Sequence, residues 1–130
     1  MRASQPPVEA GLRAATGAVS ETVPAESRRL RGFLASFDFD PAGEGFVLRL
    51  GRNVVGRDPR SCQVLLAGDP RVSRQHCLVM ARENEVTVKD LDSEHGTLLN
   101  GAVVGSTATS LRDGDVIGLC GYKLLVKLVN

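Results

Sequence analysis

The stretch Asp90-Leu91-Asp92-Ser93-Glu94-His95-Gly96-Thr97-Leu98-Leu99-Asn100-Gly101-Ala102-Val103-Val104 holds a polar loop, a short apolar run, an Asn-Gly pair and a second apolar run. Asn and Gly both tolerate the positive φ that a two-residue hairpin turn demands. Thr97 to Leu99 and Ala102 to Val104 are therefore predicted to be antiparallel strands. On the C-terminal side, Arg112-Asp113-Gly114-Asp115 is a second tight turn, separating Ala108–Leu111 from Asp115–Leu119, and Tyr122–Val129 follows. On the N-terminal side, short apolar runs lie at Glu85–Lys89, Gln75–Ala81, Gln63–Leu66 and Asn53–Gly56, with another from Phe46 to Leu50. Before the turn Asp40–Gly45, Phe33, Ala35, Phe37 and Phe39 alternate with Leu34, Ser36 and Asp38, a period of two that marks a strand. Many short strands, turn residues between them and no convincing helix predict an all-β fold, an antiparallel sandwich of two sheets.

Residues 1–30 differ in kind. They hold Pro6, Pro7 and Pro24, many Ala, Ser and Thr, and almost no large apolar side chain. Such a segment buries too little surface to offset its ordering entropy, so a flexible tail is expected there, with one domain over 31–130. The whole chain of 130 residues is 42% hydrophobic and 24% charged, the composition of a globular protein of one domain. No apolar run of about 18 residues exists, which excludes a membrane-spanning helix. The N-terminus also lacks a basic segment leading into an apolar stretch, so no secretory signal is expected and the cytoplasm is the expected location.

With a net charge of +1 and no basic block, nucleic acid is not an expected partner, since phosphate backbones require clustered Lys and Arg. The absence of Trp and the 4% aromatic content argue against a base-stacking platform. Three widely spaced cysteines, Cys62, Cys77 and Cys120, form no CxxC pair. They read as buried thiols of a reduced compartment rather than as a disulfide framework. Two histidines and scattered cysteines make no zinc site, so neither metal nor cofactor is expected. A hydrolytic triad of Ser73, His76 and Asp90 or Asp92 is conceivable, but no nucleophile-elbow pattern surrounds the serine, and no catalysis is expected.

Three loops carry unusual polar content: Gly56-Arg57-Asp58-Pro59, Arg71-Val72-Ser73-Arg74-Gln75-His76, and Asp90 through Thr97. Loops held by a rigid scaffold are where such a domain displays function. Arg57 and Arg74 offer guanidinium forks that match a phosphate or carboxylate, Ser73 adds a hydroxyl donor, and loop amides complete an anion nest.

Gly56-Arg57, Ser73-Arg74-Gln75-His76 and Asp90 through Gly96-Thr97 to Asn100-Gly101, in that order, resemble the forkhead-associated (FHA) domain family over about residues 31–130. The resemblance implies an eleven-stranded sandwich whose apical loops read phosphothreonine on a partner protein, a Ser/Thr kinase or its substrate. It also implies a preference for threonine over serine through a small pocket for the methyl group. By position, Arg57 would clamp the phosphate, Ser73 would donate its hydroxyl, and Arg74 would contribute its amide and side chain. His76 would brace the loops, with Gly56, Gly96, Thr97 and Asn100 shaping them. Glu94 and His95 depart from the family pattern, where a small polar residue and an asparagine precede the Gly-Thr pair. His95 cannot both donate and accept as an amide does, and Glu94 brings negative charge near an anion. Weaker binding, or a preference for a basic residue beside the phosphothreonine, is the expected consequence. The alternative is a phosphate-independent interaction module with a repurposed pocket. Thr16 and Thr22 are candidate phosphorylation sites for self-recognition, and a monomeric, free-standing adaptor is expected.

Overall fold

A computed structural model describes residues 28–129. Most of the predicted tail, with Thr16 and Thr22, lies outside the described residues. Among those described there is no helix. Eleven strands run in chain order: β1 Leu30–Ser36, β2 Glu44–Arg49, β3 Gly51–Gly56, β4 Val64–Leu65, β5 Cys77–Ala81, β6 Val86–Asp90, β7 Thr97–Leu99, β8 Ala102–Val104, β9 Thr109–Leu111, β10 Val116–Leu119 and β11 Tyr122–Leu128. They form a five-stranded sheet in the order β9-β6-β5-β3-β4 and a six-stranded sheet in the order β2-β1-β11-β10-β7-β8. Every pairing is antiparallel except β3 with β4, which run parallel through Val55↔Val64 and Gly56↔Leu65. The exception is two residue pairs long. The Gln63 side-chain oxygen accepts from the Val54 amide at 2.8 Å, and the Leu66 amide donates to the Gly56 carbonyl at 2.8 Å.

The Asn100-Gly101 hairpin forms as its sequence demands: φ is 51° and 87° at the two residues, and Leu99 faces Ala102 across the turn. The inner faces of both sheets supply the core. Leu34, Leu48, Val55, Val79, Val88, Ile117, Leu124 and Val126 are fully buried, each contributing about 1.5–3 kcal/mol by removal from water. Tyr122 is buried too, its hydroxyl accepting from the Gly68 amide at 2.6 Å.

Two expectations need correction. In β1 the apolar alternation is real, but Leu34 points inward and Phe33 outward at 40% exposure. Leu34 stands between Phe46 and the core residue Val126, whereas Phe33 stands between exposed Val47 and Lys127. The strand stops at Ser36, which leaves Phe37 and Phe39 exposed in the following turn. Of the cysteines, only Cys77 is buried. Its burial pushes the thiol up to about 12, with the Asp90 carboxylate adding to the effect. Cys62 and Cys120 are half-buried, one in the loop after β3 and the other at φ 52° in the turn between β10 and β11.

Candidate functional site

Three loops meet at one end of the sandwich because backbone groups at the strand ends tie them to one another. The amide of Arg57 donates to the carbonyls of Ser73 and Arg74 at 3.2 and 3.1 Å. The amide of Asp58 and the thiol of Cys62 also donate to the Arg74 carbonyl, at 3.2 and 2.9 Å. Gly56 permits this approach, since a Cβ there would run into the Arg74 carbonyl and lie 2.9 Å from the Cys62 sulfur. Backbone cannot yield as a side chain tip can. Gly56→Ala is expected to cost about 1–3 kcal/mol of stability and to weaken ligand binding by moving Arg74. Thermal unfolding alongside peptide titration checks both, and a variant with unchanged melting temperature would refute the close approach.

His76 links the second loop to the third from a fully buried position. The Ser73 amide donates to Nδ1 at 3.1 Å, so the ring proton sits on Nε2 and is donated to the Gly96 carbonyl at 2.8 Å. Its own backbone is held on both sides: the amide donates to the Val55 carbonyl, and the carbonyl accepts from the Leu91 amide. The Ser73 Oγ accepts from the Glu94 amide at 3.1 Å. That bond uses an oxygen lone pair and leaves the hydroxyl proton free to donate.

The third loop folds around Asp90, whose importance the sequence reading did not single out. Its carboxylate accepts from the Ser93 hydroxyl at 2.6 Å, the Ser93 amide at 2.9 Å and the buried Thr97 hydroxyl at 2.7 Å. The Ser93 oxygen in turn accepts from the Gly96 amide. The signal available was the Asp-x-x-Ser spacing, which favours local side-chain-to-backbone bonding. Burial works against charge on Asp90, but the Ser93 and Thr97 hydrogen bonds outweigh it and hold the carboxyl below its ordinary range. A carboxyl depressed in the folded state adds stability that is fully present above the unfolded value of about 3.9. That stability is lost as pH falls through the lower folded value. The melting temperature is therefore expected to fall as pH drops below about 4, and Asp90→Asn should flatten that dependence. Melting curves across pH 2–7 test it; an equally steep fall in the variant would remove Asp90 from the account.

The structure brings Arg57, Ser73 and Arg74 together. The Arg57 Nε donates to the Val72 carbonyl at 2.9 Å, which fixes the exposed guanidinium, and its outer nitrogens have no hydrogen-bond partner among the described residues. Arg57 and Arg74 line a cavity of about 280 Å³ with Asp58, Pro59 and Arg60. His95 faces a different cavity, a groove of about 310 Å³ whose walls include Arg71, Leu98, Cys120 and Lys123. Glu94 is exposed and enters the cluster through its amide, the contact it makes with Ser73. Asn100 lines neither cavity. Its side chain donates to Asp115 at 3.0 Å and accepts from the Val116 amide at 2.9 Å, joining the hairpin turn to β10. In the groove wall, Arg71 forms a bidentate pair with Asp69 at 2.7–3.2 Å, and this pair holds the Asp69 carboxyl well below the usual range.

A two-sheet sandwich that presents guanidinium and hydroxyl groups on braced loops at one end defines a β-sandwich recognition module. The FHA domain pattern matches residues 49–120, more than half of the chain, and the protein belongs to the FHA domain family. It is 38% identical over 71 residues to nibrin of Danio rerio, covering 54% of this chain and 8% of nibrin. It is 35% identical over 89 residues to the FHA domain-containing protein FhaA of Mycobacterium tuberculosis, covering 68% of this chain and 16% of FhaA. The chain thus spans less than a fifth of either relative. An FHA domain solved in a study of phosphothreonine-dependent FHA interactions superimposes with a TM-score of 0.68 at 32% identity, covering 77% of this chain and 98% of that one.

Proposed function

We propose that this protein is a phosphothreonine-reading adaptor that joins the output of a Ser/Thr kinase to the assembly of a protein complex, without catalysing a reaction. The observation that carries this reading is the pairing of Arg57 with Ser73. The first is anchored through Nε and the second is held as an acceptor, and among the described residues neither the outer donors of Arg57 nor the Ser73 hydroxyl proton has a partner. A phosphate dianion presents acceptors to both, and charge-assisted hydrogen bonds are the strong ones. Arg74 adds a second guanidinium at the same cavity. Relatives in the same family support the reading, one of them solved in the context of phosphothreonine-dependent interactions. Among the described residues no helix is long and apolar enough to cross a membrane, and no group of His, Cys, Asp or Glu has the arrangement to hold a metal.

Glu94 favours a second reading, a module that docks partners without phosphate, because its carboxylate belongs to the loop nearest Ser73. Calorimetric titration with matched phosphothreonine, phosphoserine and unphosphorylated peptide pools separates the two. Binding confined to phosphothreonine establishes the reader. Equal binding of all three pools replaces it with the phosphate-independent module.

A further inference from the structure

The loop after β3 adds a third arginine, Arg60, to the cavity that Arg57 and Arg74 line. Asp58 folds this loop onto itself: its backbone carbonyl accepts from the Ser61 and Cys62 amides at 3.2 and 3.0 Å. Its carboxylate accepts from the Arg60 amide and the Ser61 hydroxyl, both at 3.0 Å. The turn so formed presents Pro59 and Arg60 at the cavity that Arg57 and Arg74 also line. Asp58 is depressed below its ordinary value first by the Arg60 amide, then by Ser61, with the charges of Arg74 and Arg57 adding to the effect. Among the described residues, neither the Arg60 nor the Arg74 side chain makes an ion pair.

Three arginines and one aspartate among the lining residues leave a formal charge of +2 around the cavity. A phosphothreonine carries about −1.5 to −2 at neutral pH, so one phosphoryl group balances it. Glu94, whose amide donates to Ser73, does not line this cavity, and its carboxylate repels the same group.

We propose that Arg60 is a phosphate-binding residue: the phosphoryl group engaged by Arg57 and Ser73 leans into the cavity between Arg57, Arg60 and Arg74, away from Glu94. The inference rests on the phosphothreonine reading and adds to it a residue outside the motif that defines the site. Arg60 supplies the countercharge on the side where the chain has room for it. Its exposed position in the loop makes it a residue whose replacement spares the fold.

The test is calorimetric titration of one phosphothreonine peptide, in versions with and without acidic flanking residues, against the native chain, Arg60→Gln, Arg60→Lys and Arg57→Ala. Melting temperatures are taken in parallel, and binding is repeated between pH 5 and 7.5, across the second ionisation of the phosphate at about 6. Arg60→Gln is expected to weaken both peptide versions about tenfold, as loss of one charge-assisted bond to an anion does. Lysine should recover part of the loss, and the affinity gained as the phosphate becomes a dianion should shrink in the glutamine variant. The proposal is overturned if Arg60→Gln binds within about twofold of the native chain while Arg57→Ala does not bind, and the phosphothreonine reading then stands alone. It is overturned also if the loss disappears with the peptide lacking flanking acids, because Arg60 then reads a carboxylate. Failure of the native chain to bind the phosphorylated peptide overturns both.

Discussion

Arg57→Ala is expected to reduce phosphothreonine-peptide affinity by at least about a hundredfold while leaving the fold intact. A hydrogen bond to a charged group is worth about 1.5–3 kcal/mol, and a guanidinium can place two on one phosphate. Loss of both amounts to roughly 3–6 kcal/mol, and every 1.4 kcal/mol is tenfold in affinity. The cost to the folded state is small by comparison. The side chain is exposed, and its one hydrogen bond among the described residues, Nε to the Val72 carbonyl at 2.9 Å, contributes about 1 kcal/mol. Calorimetry and thermal unfolding together decide the matter. Native-like affinity in a folded variant would mean that the phosphate is bound elsewhere.

His76→Ala is expected to act in the opposite order, on the fold first and on binding as a consequence. Removing a fully buried imidazole leaves a cavity and strips partners from the Ser73 amide and the Gly96 carbonyl. Cavity and orphaned polar groups together cost about 3–5 kcal/mol. In a domain of this size that lowers the melting temperature by on the order of 15 °C or more. Binding should fall even at low temperature where the variant remains folded, because the loop bearing Ser73 loses its imidazole link to Gly96 and keeps only the Glu94 amide on Ser73 Oγ and the Leu91 amide on the residue-76 carbonyl. A variant that melts like the native chain would show that the Asp90 network and the backbone contacts hold the loops without the histidine.

Much of this site was legible in one dimension because its parts are local. Arg57 follows a glycine at a strand end, Ser73 and His76 are three residues apart in one loop, and Asn100-Gly101 makes its own turn. Asp90 was less legible. Its partners Ser93 and Thr97 are close in sequence, but its weight comes from joining a strand end, a loop amide and a buried hydroxyl at once. Arg60 carried no local signal. It matters through a cavity it shares with Arg74, fourteen positions later, and nothing in Pro59-Arg60-Ser61 announces that neighbour.

Alternation of apolar and polar side chains, with turn residues at regular intervals, was sufficient to specify strands, hairpins and a sandwich. These follow from backbone geometry acting over a few residues. Which face of a strand turns inward was decided only by the neighbours. A period of two offers two equivalent faces, and Leu34 was chosen over Phe33 by the strand carrying Val126. The parallel seam between β3 and β4 likewise came from the path of a loop, not from either strand's own sequence. The convergence of Arg57, Ser73, Glu94 and Gly96 at one end depended on a buried histidine bonding across twenty residues and on a glycine small enough to admit a carbonyl. Local preference is set by each residue's own torsions and side chain, whereas a site built from separate loops exists only once packing has closed the distance between them.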